Sequence, residues 1–313
     1  MSRAIRFADW LGATRPAFLS ITLLAVVLGA TIAWWQQPSR NPLSASLLLI
    51  TLFGALLAHA GANVLNDVAD ADNGSDAANV DRVTPFTGGS RFIQQGIISR
   101  QGMLRLAMLL FFSAVLCGLA LLQLTDLRLM AFGLTGLLLA LAYSLPPLKL
   151  MARGGGEISV ALAWLLIIAG SDFVLRRQID GTAWLGGLPF ALQIALILIV
   201  NQVPDLVADR QAGKRNWVVR LGASKAAQLY RGGLFASYGS LLLAWQLNAL
   251  PPPALCAIFI LPIGIVAARQ IADFAPTPHR LVAPIRLTLL QAHLVGIVLP
   301  LSLIADHYFR IAP

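Results

Sequence analysis

The sequence predicts an all-α fold, a polytopic membrane bundle of nine transmembrane helices, and three observations carry that expectation. Hydrophobic residues make up 58% of the 313-residue chain and charged residues only 12%, about half the charged share of a soluble domain. Mean hydropathy is +0.75, and the apolar residues fall into uncharged runs of the length a bilayer core requires, about 20 residues per helix. The 23 Lys and Arg residues, against 14 acids and for a net charge of +9, segregate onto alternate loops. Together these exclude a soluble globular enzyme and a disordered chain. One transmembrane domain spanning residues 1–313 is expected.

The first run, residues 16–36, follows basic residues but is long enough for an anchored span rather than a cleaved signal peptide. Trp34 and Trp35 at its end join Trp245 in an outer aromatic belt. The second, 43–66, runs into a segment rich in aspartate, and Gly74 releases the chain into a loop. The third and fourth, 103–124 and 128–146, precede Pro146-Pro147, which ends the helix. The fifth, 157–175, is bounded by Glu157 and interrupted at Asp172, so its uncharged stretch is short. The sixth, 182–203, leads into a second aspartate segment. The seventh and eighth, 224–248 and 254–272, are divided by Pro251-Pro252-Pro253, and the ninth covers 286–305. Cys117 and Cys256 lie inside apolar runs, which argues against a disulfide framework or a zinc site.

Nine spans put the termini on opposite faces. Arg40, Arg128, Arg176, Arg177 and Arg310 then share one face, and the other eighteen of the 23 basic residues share the opposite one. The positive-inside rule places the crowded face, with the N-terminus and the longer loops, in the cytoplasm. The expected home is the cytoplasmic (inner) membrane of a bacterium; no nucleic-acid partner is expected.

Thirteen of the 14 acids are aspartate, and two segments on the cytoplasmic face stand out. In the first, His59, Asn63, Asn66, Asp67 and Asp70 fall within about a 100° sector of one helix. In the second, Asn201, Asp205 and Asp209 are spaced i, i+4, i+8 and are followed by Gly213, Lys214 and Arg215. A lone aspartate at a membrane interface reads as a solvated helix end. Two matched clusters, each with an amide ahead of two carboxylates, read differently. Grouped carboxylates repel unless a cation sits among them, and hard oxygen ligands suit Mg²⁺ bound together with substrate phosphates. The pattern therefore looks like a site for a magnesium-bound diphosphate, with asparagine carbonyls as neutral ligands. Lys149, Arg153, Lys214, Arg215 and Arg91 are candidates to hold the remaining phosphate oxygens.

Between the clusters runs Tyr143-Ser-Leu-Pro146-Pro147-Leu-Lys149, continuing to Arg153-Gly154-Gly155-Gly156-Glu157. The triple glycine follows no strand and lacks the G-x-G-x-x-G spacing, so it is not a dinucleotide loop. Tyr143 is either an interface aromatic or a wall of the substrate pocket. His59 and His293, inside apolar spans, are expected to make helix-to-helix hydrogen bonds. A cation-coupled transporter is the rival from another class, but the acids gather at one interface and a carrier needs access from both.

These motifs resemble the UbiA superfamily of intramembrane prenyltransferases over nearly the whole chain. The resemblance rests on the nine spans, Arg15-Pro16, the two aspartate motifs and the Tyr-Ser-x-Pro-Pro-x-Lys link. Within it, Asn66-Asp67-x-x-Asp70-x-x-x-Gly74-x-Asp76, Gly154-x-Gly156-Glu157 and Asp205-x-x-x-Asp209-x-x-x-Gly213-Lys214 are similar to the 1,4-dihydroxy-2-naphthoate polyprenyltransferases of menaquinone synthesis. Pro204 departs from that branch, which often has Arg there, and Asn216-Trp217 stands where Thr-Leu is usual. The resemblance implies transfer of a chain from an allylic polyprenyl diphosphate to an aromatic acid, with diphosphate released. It implies Asp67, Asp70, Asp205 and Asp209 as Mg²⁺ ligands, with Asn66 and Asn201 assisting and Tyr143 at the reacting centre. Asn63, Lys149, Arg153, Lys214 and Arg91 would bind substrate. The acceptor implied is 1,4-dihydroxy-2-naphthoate, with 4-hydroxybenzoate, homogentisate-like acids and tetrapyrrole acids as alternatives.

Overall fold

The computed structural model describes residues 5–37 and 44–311, with side chains through Phe309. Arg3, Arg40 and the Arg310 side chain, which enter the charge tally, and residue 43, the first of the second expected span, lie outside the described residues. All regular structure among the described residues is helical. α1 (Phe7–Ala13) is followed by Arg15, whose left-handed φ of 54° turns the chain into α2 (Pro16–Gln36). α3 (Ala45–Asn73) starts at Ser44, whose hydroxyl accepts from the Leu47 amide, and stops at Gly74, which takes φ 80° where a side chain would be strained. α4 (Ser75–Ala78) opens an irregular stretch that ends at Ser99, the cap of α5 (Arg100–Leu124).

α6 (Leu129–Ser144) gives way to the double proline, and the short α7 (Leu150–Arg153) precedes α8 (Gly156–Arg176). α9 (Gly181–Gln211) is capped by Asp180 and holds Pro189 and Pro204 in its interior, each removing one backbone bond. α10 (Trp217–Leu221) and α11 (Ala223–Gln246) follow. The triproline starts a 3₁₀ stretch, Pro252–Ile260, that runs into α12 (Leu261–Phe274), and a second 3₁₀ turn leads to α13 (Val282–Ile311).

Seven helical segments among the described residues are long and apolar enough to cross a membrane: α2, α3, α5, α8, α9, the 252–274 unit and the 278–309 unit. The fourth and seventh expected spans are also helices, but of other character. α6 has 16 residues, which at 1.5 Å each reaches roughly 24 Å against a hydrocarbon core of about 30 Å. α11 is longer, yet Lys225, Gln228 and Arg231 dilute its apolar content. Length and composition alone thus identify seven of the nine expected spans among the described residues, and the other two are present as helices.

Two apolar cores, and a small third cluster of Leu121, Leu129, Phe173 and Val174, organise the bundle. The larger joins α2, α8, α9, α11, α12 and α13 around Leu28, Ile168, Phe190, Leu196 and Leu234. The smaller packs α3 on α5 through Val64, Leu65, Met103 and Phe111. Gly29 lets α2 approach α8 closely, since a Cβ there would overlap the Ile168 carbonyl oxygen. Polar groups inside an apolar bundle must find partners within it. Accordingly the Gln193 amide donates to Ser237 Oγ at 2.9 Å and its carbonyl accepts from Gln291 Nε2 at 2.8 Å, tying α9 to α11 and α13. At the opposite end from the aspartate segments, Arg176 makes two 2.6 Å bonds to Asp172 and one of 2.7 Å to Asp180. α5 and α6 leave Met108, Phe112, Leu134 and Leu138 exposed, the surface expected of helices against lipid. A cavity remains where α3 and α6 face α2, α8 and α9.

Candidate active site

The cavity holds about 320 Å³ and has two chemically different ends. Apolar walls come from Ile21, Leu139, Val160, Ile167, Ile194 and Ile197. The other end is polar, built by the last turns of α3 and α9 and by the chain between residues 75 and 89. Gly74 and Gly213, both in the left-handed region, let the chain leave each helix sharply and fold back over its own carboxylates.

Lys214 is the centre of the polar end. Its buried Nζ lies 2.7 Å from Asp70 Oδ1 and 2.8 Å from Asp209 Oδ1, joining the two aspartate motifs across the bundle. Burial alone would lower its pKa, but the carboxylates of Asp70 and Asp209 outweigh that and hold it above the ordinary lysine range. Asn216 Nδ2 donates to the second oxygen of Asp209 at 2.8 Å, and Asn79 Nδ2 donates to Asp205 Oδ1 at 2.6 Å. Asp76 completes the ring of acids. Burial, and then the negative charge of Asp70 and Asp67, pushes its pKa up to about 7. Gly89 approaches this carboxylate so closely that a Cβ there would overlap Asp76 Oδ2.

The structure brings Asn63, Asn66, Asp70, Tyr143, Asn201, Asp205, Asp209 and Lys214 to the cavity wall. Other expected residues stand elsewhere. Asp67 is buried and pairs with the Arg15 guanidinium while its Oδ2 accepts from the Ser90 amide at 3.1 Å. It anchors the 88–91 turn, and it is Arg15 that lines the cavity. Arg91 donates to the Asp76 carbonyl rather than lining the cavity. Lys149 and Arg153 border a separate basic hollow with Arg215 and Arg220, and Lys214 is the wall it shares with the cavity. The 150–155 and 212–216 loops are docked there by the Arg215 amide on the Ala152 carbonyl at 2.6 Å and by Arg220 Nη2 on the Arg153 carbonyl at 2.8 Å. Ser75, Asp76, Asn79, Thr87, Gly88, Gly89, Gln202 and Asn216 also line the cavity, and the sequence pattern did not single them out as site residues. His59 and His293 both bond to α2, through Thr22 and Ser20 respectively, each at 2.8 Å.

Among the described residues, no three His, Cys, Asp or Glu side chains are grouped closely enough to hold a metal by themselves. The reason is local: Lys214 stands between Asp70 and Asp209, Arg15 holds Asp67, and Asn79 occupies Asp205. The chemistry of the donor set nevertheless fits a hard divalent cation. Four carboxylates reach one cavity, and the amide oxygens of Asn79 and Asn201 are buried there without hydrogen-bond partners. A diphosphate would bring the further oxygens that Mg²⁺ requires.

The model of the UbiA prenyltransferase family matches residues 22–280. The chain is 31% identical over 233 residues to the 1,4-dihydroxy-2-naphthoate octaprenyltransferase of Escherichia coli (strain K12), covering 72% of each chain. It is 27% identical over 273 residues to the enzyme of the same name from Mycobacterium tuberculosis, covering 84% of this chain and 85% of that one. A UbiA homolog from Archaeoglobus fulgidus, solved bound to GPP and Mg²⁺, superposes with a TM-score of 0.61 at 14% identity, covering 95% of this chain and 99% of that one.

Proposed function

Because the chain belongs to the UbiA prenyltransferase family, we propose that it transfers a polyprenyl chain from an allylic diphosphate to 1,4-dihydroxy-2-naphthoate in menaquinone biosynthesis, working as a single transmembrane domain. The observation that carries the reading is one continuous cavity with four aspartates and a lysine at one end and an aliphatic channel at the other. A diphosphate fits the first and a polyprenyl tail the second. The relatives named for the naphthoate reaction supply the acceptor.

The reaction breaks the allylic carbon–oxygen bond, with the electron pair leaving on diphosphate. Lys214 is placed to pair with the departing charge, and Arg15 to add to the positive field at the cavity mouth. Asp70, Asp205 and Asp209, assisted by Asn66, Asn79 and Asn201, would hold Mg²⁺, and Asp67 would act by fixing Arg15 and the 88–91 turn. When bound, Mg²⁺ supplies the charge stabilisation that lets diphosphate leave. Tyr143 and the aliphatic walls exclude water from the allylic carbon. The acceptor carbon that bears the carboxylate joins the prenyl carbon, and carbon dioxide leaves with its bonding pair returned to the ring. Lys149, Arg153 and Arg91, outside the cavity, would draw the diphosphate headgroup toward its mouth from the aqueous face.

The protein is an integral membrane protein, and the bias of eighteen basic residues against five, which rests on the nine-span count, supports a bacterial inner membrane with both aspartate loops facing the cytoplasm. Single cysteines placed at Asp81 and Gln211 should react with an impermeant maleimide only after cells are opened. Labelling of either in intact cells would separate the loops from one shared cytoplasmic site. The function itself is tested with membranes given a labelled polyprenyl diphosphate and competing acceptors. Carbon dioxide release with a prenylated 1,4-dihydroxynaphthalene, which air oxidises to the quinone on extraction, is expected, whereas prenylated 4-hydroxybenzoate that keeps its carboxylate would overturn the acceptor.

A further inference from the structure

α3 presents four polar side chains to the cavity: Asp70, Asn66, Asn63 and, one turn further in, His59. At 1.5 Å per residue they form a ladder in which His59 stands roughly 16 Å along the axis from Asp70. That span accommodates a diphosphate, the allylic carbon and a fused aromatic ring in series. The first three rungs belong to the polar end. His59 instead faces the aliphatic part, beside Ile21, Ala55 and Trp164.

The imidazole is held firmly. Its Nδ1 lies 2.8 Å from Thr22 Oγ1 on α2, and its ring meets the Trp164 ring of α8 edge to face, centroids 4.8 Å apart. Nε2 makes no hydrogen bond with any described residue, and it is not among the fully enclosed atoms. A nitrogen left free in an apolar chamber is unfavourable unless the ligand completes it. The tail of a polyprenyl diphosphate is hydrocarbon and cannot. A hydroxyl on an aromatic ring can, and because it both donates and accepts it serves whichever tautomer the Thr22 contact selects.

We propose that His59 is the residue that recognises the aromatic acceptor, bonding a ring hydroxyl through Nε2 while the Trp164 edge keeps the imidazole aimed into the cavity. The ring is thereby turned so that the carbon to be prenylated faces the allylic carbon, and aromatics without that hydroxyl are disfavoured. The inference rests on the reading of the cavity as a prenyl-transfer site, and deepens it by naming what reads the acceptor.

The test measures initial rates for the full-length protein in lipid vesicles, varying each substrate in turn, for the wild type, His59→Phe and His59→Gln. The acceptors are 1,4-dihydroxy-2-naphthoate, 4-hydroxybenzoate and the O-methyl ethers of each. His59→Phe should raise the acceptor KM by about tenfold or more and leave the KM for polyprenyl diphosphate within about twofold, with His59→Gln between the two. The wild type should prefer the hydroxylated acceptor to its methyl ether, and His59→Phe should lose that preference. An unchanged acceptor KM, or equal rises in both KM values, would overturn the role of His59. Should His59→Phe fail to insert, the wild type still decides: a methyl ether that competes as tightly as its parent overturns the proposal, and weaker competition supports it. Transfer to 4-hydroxybenzoate alone would remove the naphthoate reading, with His59 then judged on that acceptor. Transfer to no hydroxylated ring would overturn both.

Discussion

Asp70→Asn and Asp209→Asn should each lower prenyl transfer by about a thousandfold while the protein remains inserted and folded. Both carboxylates reach the cavity from different helices and share the Lys214 ammonium, so each loss alters the site from one side only. Asparagine preserves the volume and one oxygen, which keeps the packing of α3 and α9 and removes only the charge. Asp205→Asn should behave in the same way, because its partner, Asn79, can still donate to the remaining amide oxygen. The measurement is single-turnover transfer at saturating Mg²⁺, with size-exclusion profiles to verify folding. A variant with near-wild-type turnover would remove its carboxylate from the reaction.

Arg15→Met should destabilise the protein by about 3 kcal/mol, because it leaves Asp67 as a buried charge without its ion-pair partner. Burial opposes the charge on Arg15, but Asp67 and then Asp76 hold its pKa above the ordinary arginine value, so the guanidinium is always present to pair. Asp67→Asn in the same chain should recover much of the loss, since a neutral amide can remain in that position with the Ser90 amide still donating to it. The double variant should therefore be more stable than the sum of the two single changes implies. Denaturant unfolding in detergent gives the four values needed. Additive losses would mean that Arg15 and Asp67 are not energetically a pair.

The sequence made the helical ladder legible because its signal is periodic. Asn63, Asn66 and Asp70 on α3, and Asn201, Asp205 and Asp209 on α9, recur at helical spacing, and they do line one cavity. Asp67 has the same spacing but does not line the cavity, because its carboxylate is paired with Arg15, 52 positions away in the chain. Angular position on a helix cannot register that partner. Asn79, Thr87, Gly88 and Gly89 lie in an irregular stretch with no period to read, and their place over the carboxylates is set by Gly74, Ser90 and Arg91 contacts. Lys149 and Arg153 share with Lys214 a positive charge and a topological nearness to the aspartates, and the sequence carries no signal that separates them. The Ala152–Arg215 and Arg153–Arg220 contacts instead turn that loop toward the basic hollow. α6 and α11 are the two expected spans that length and composition do not identify by themselves, because α6 is short and Lys225, Gln228 and Arg231 dilute α11.

Lys214 gives the resting enzyme a counter-ion that is covalently part of the chain. Carboxylates that wait for a soluble cation would drive α3 and α9 apart between catalytic cycles, whereas these remain bridged by an ammonium at 2.7 and 2.8 Å. On the proposed magnesium-dependent reaction, assembly of the bundle would thereby be uncoupled from the supply of the ion. Chelation should silence turnover without lowering the melting temperature, and readdition of the ion should restore the rate at once, without a refolding lag. A cell short of magnesium would then keep an intact stock of enzyme in its membrane, idle and ready.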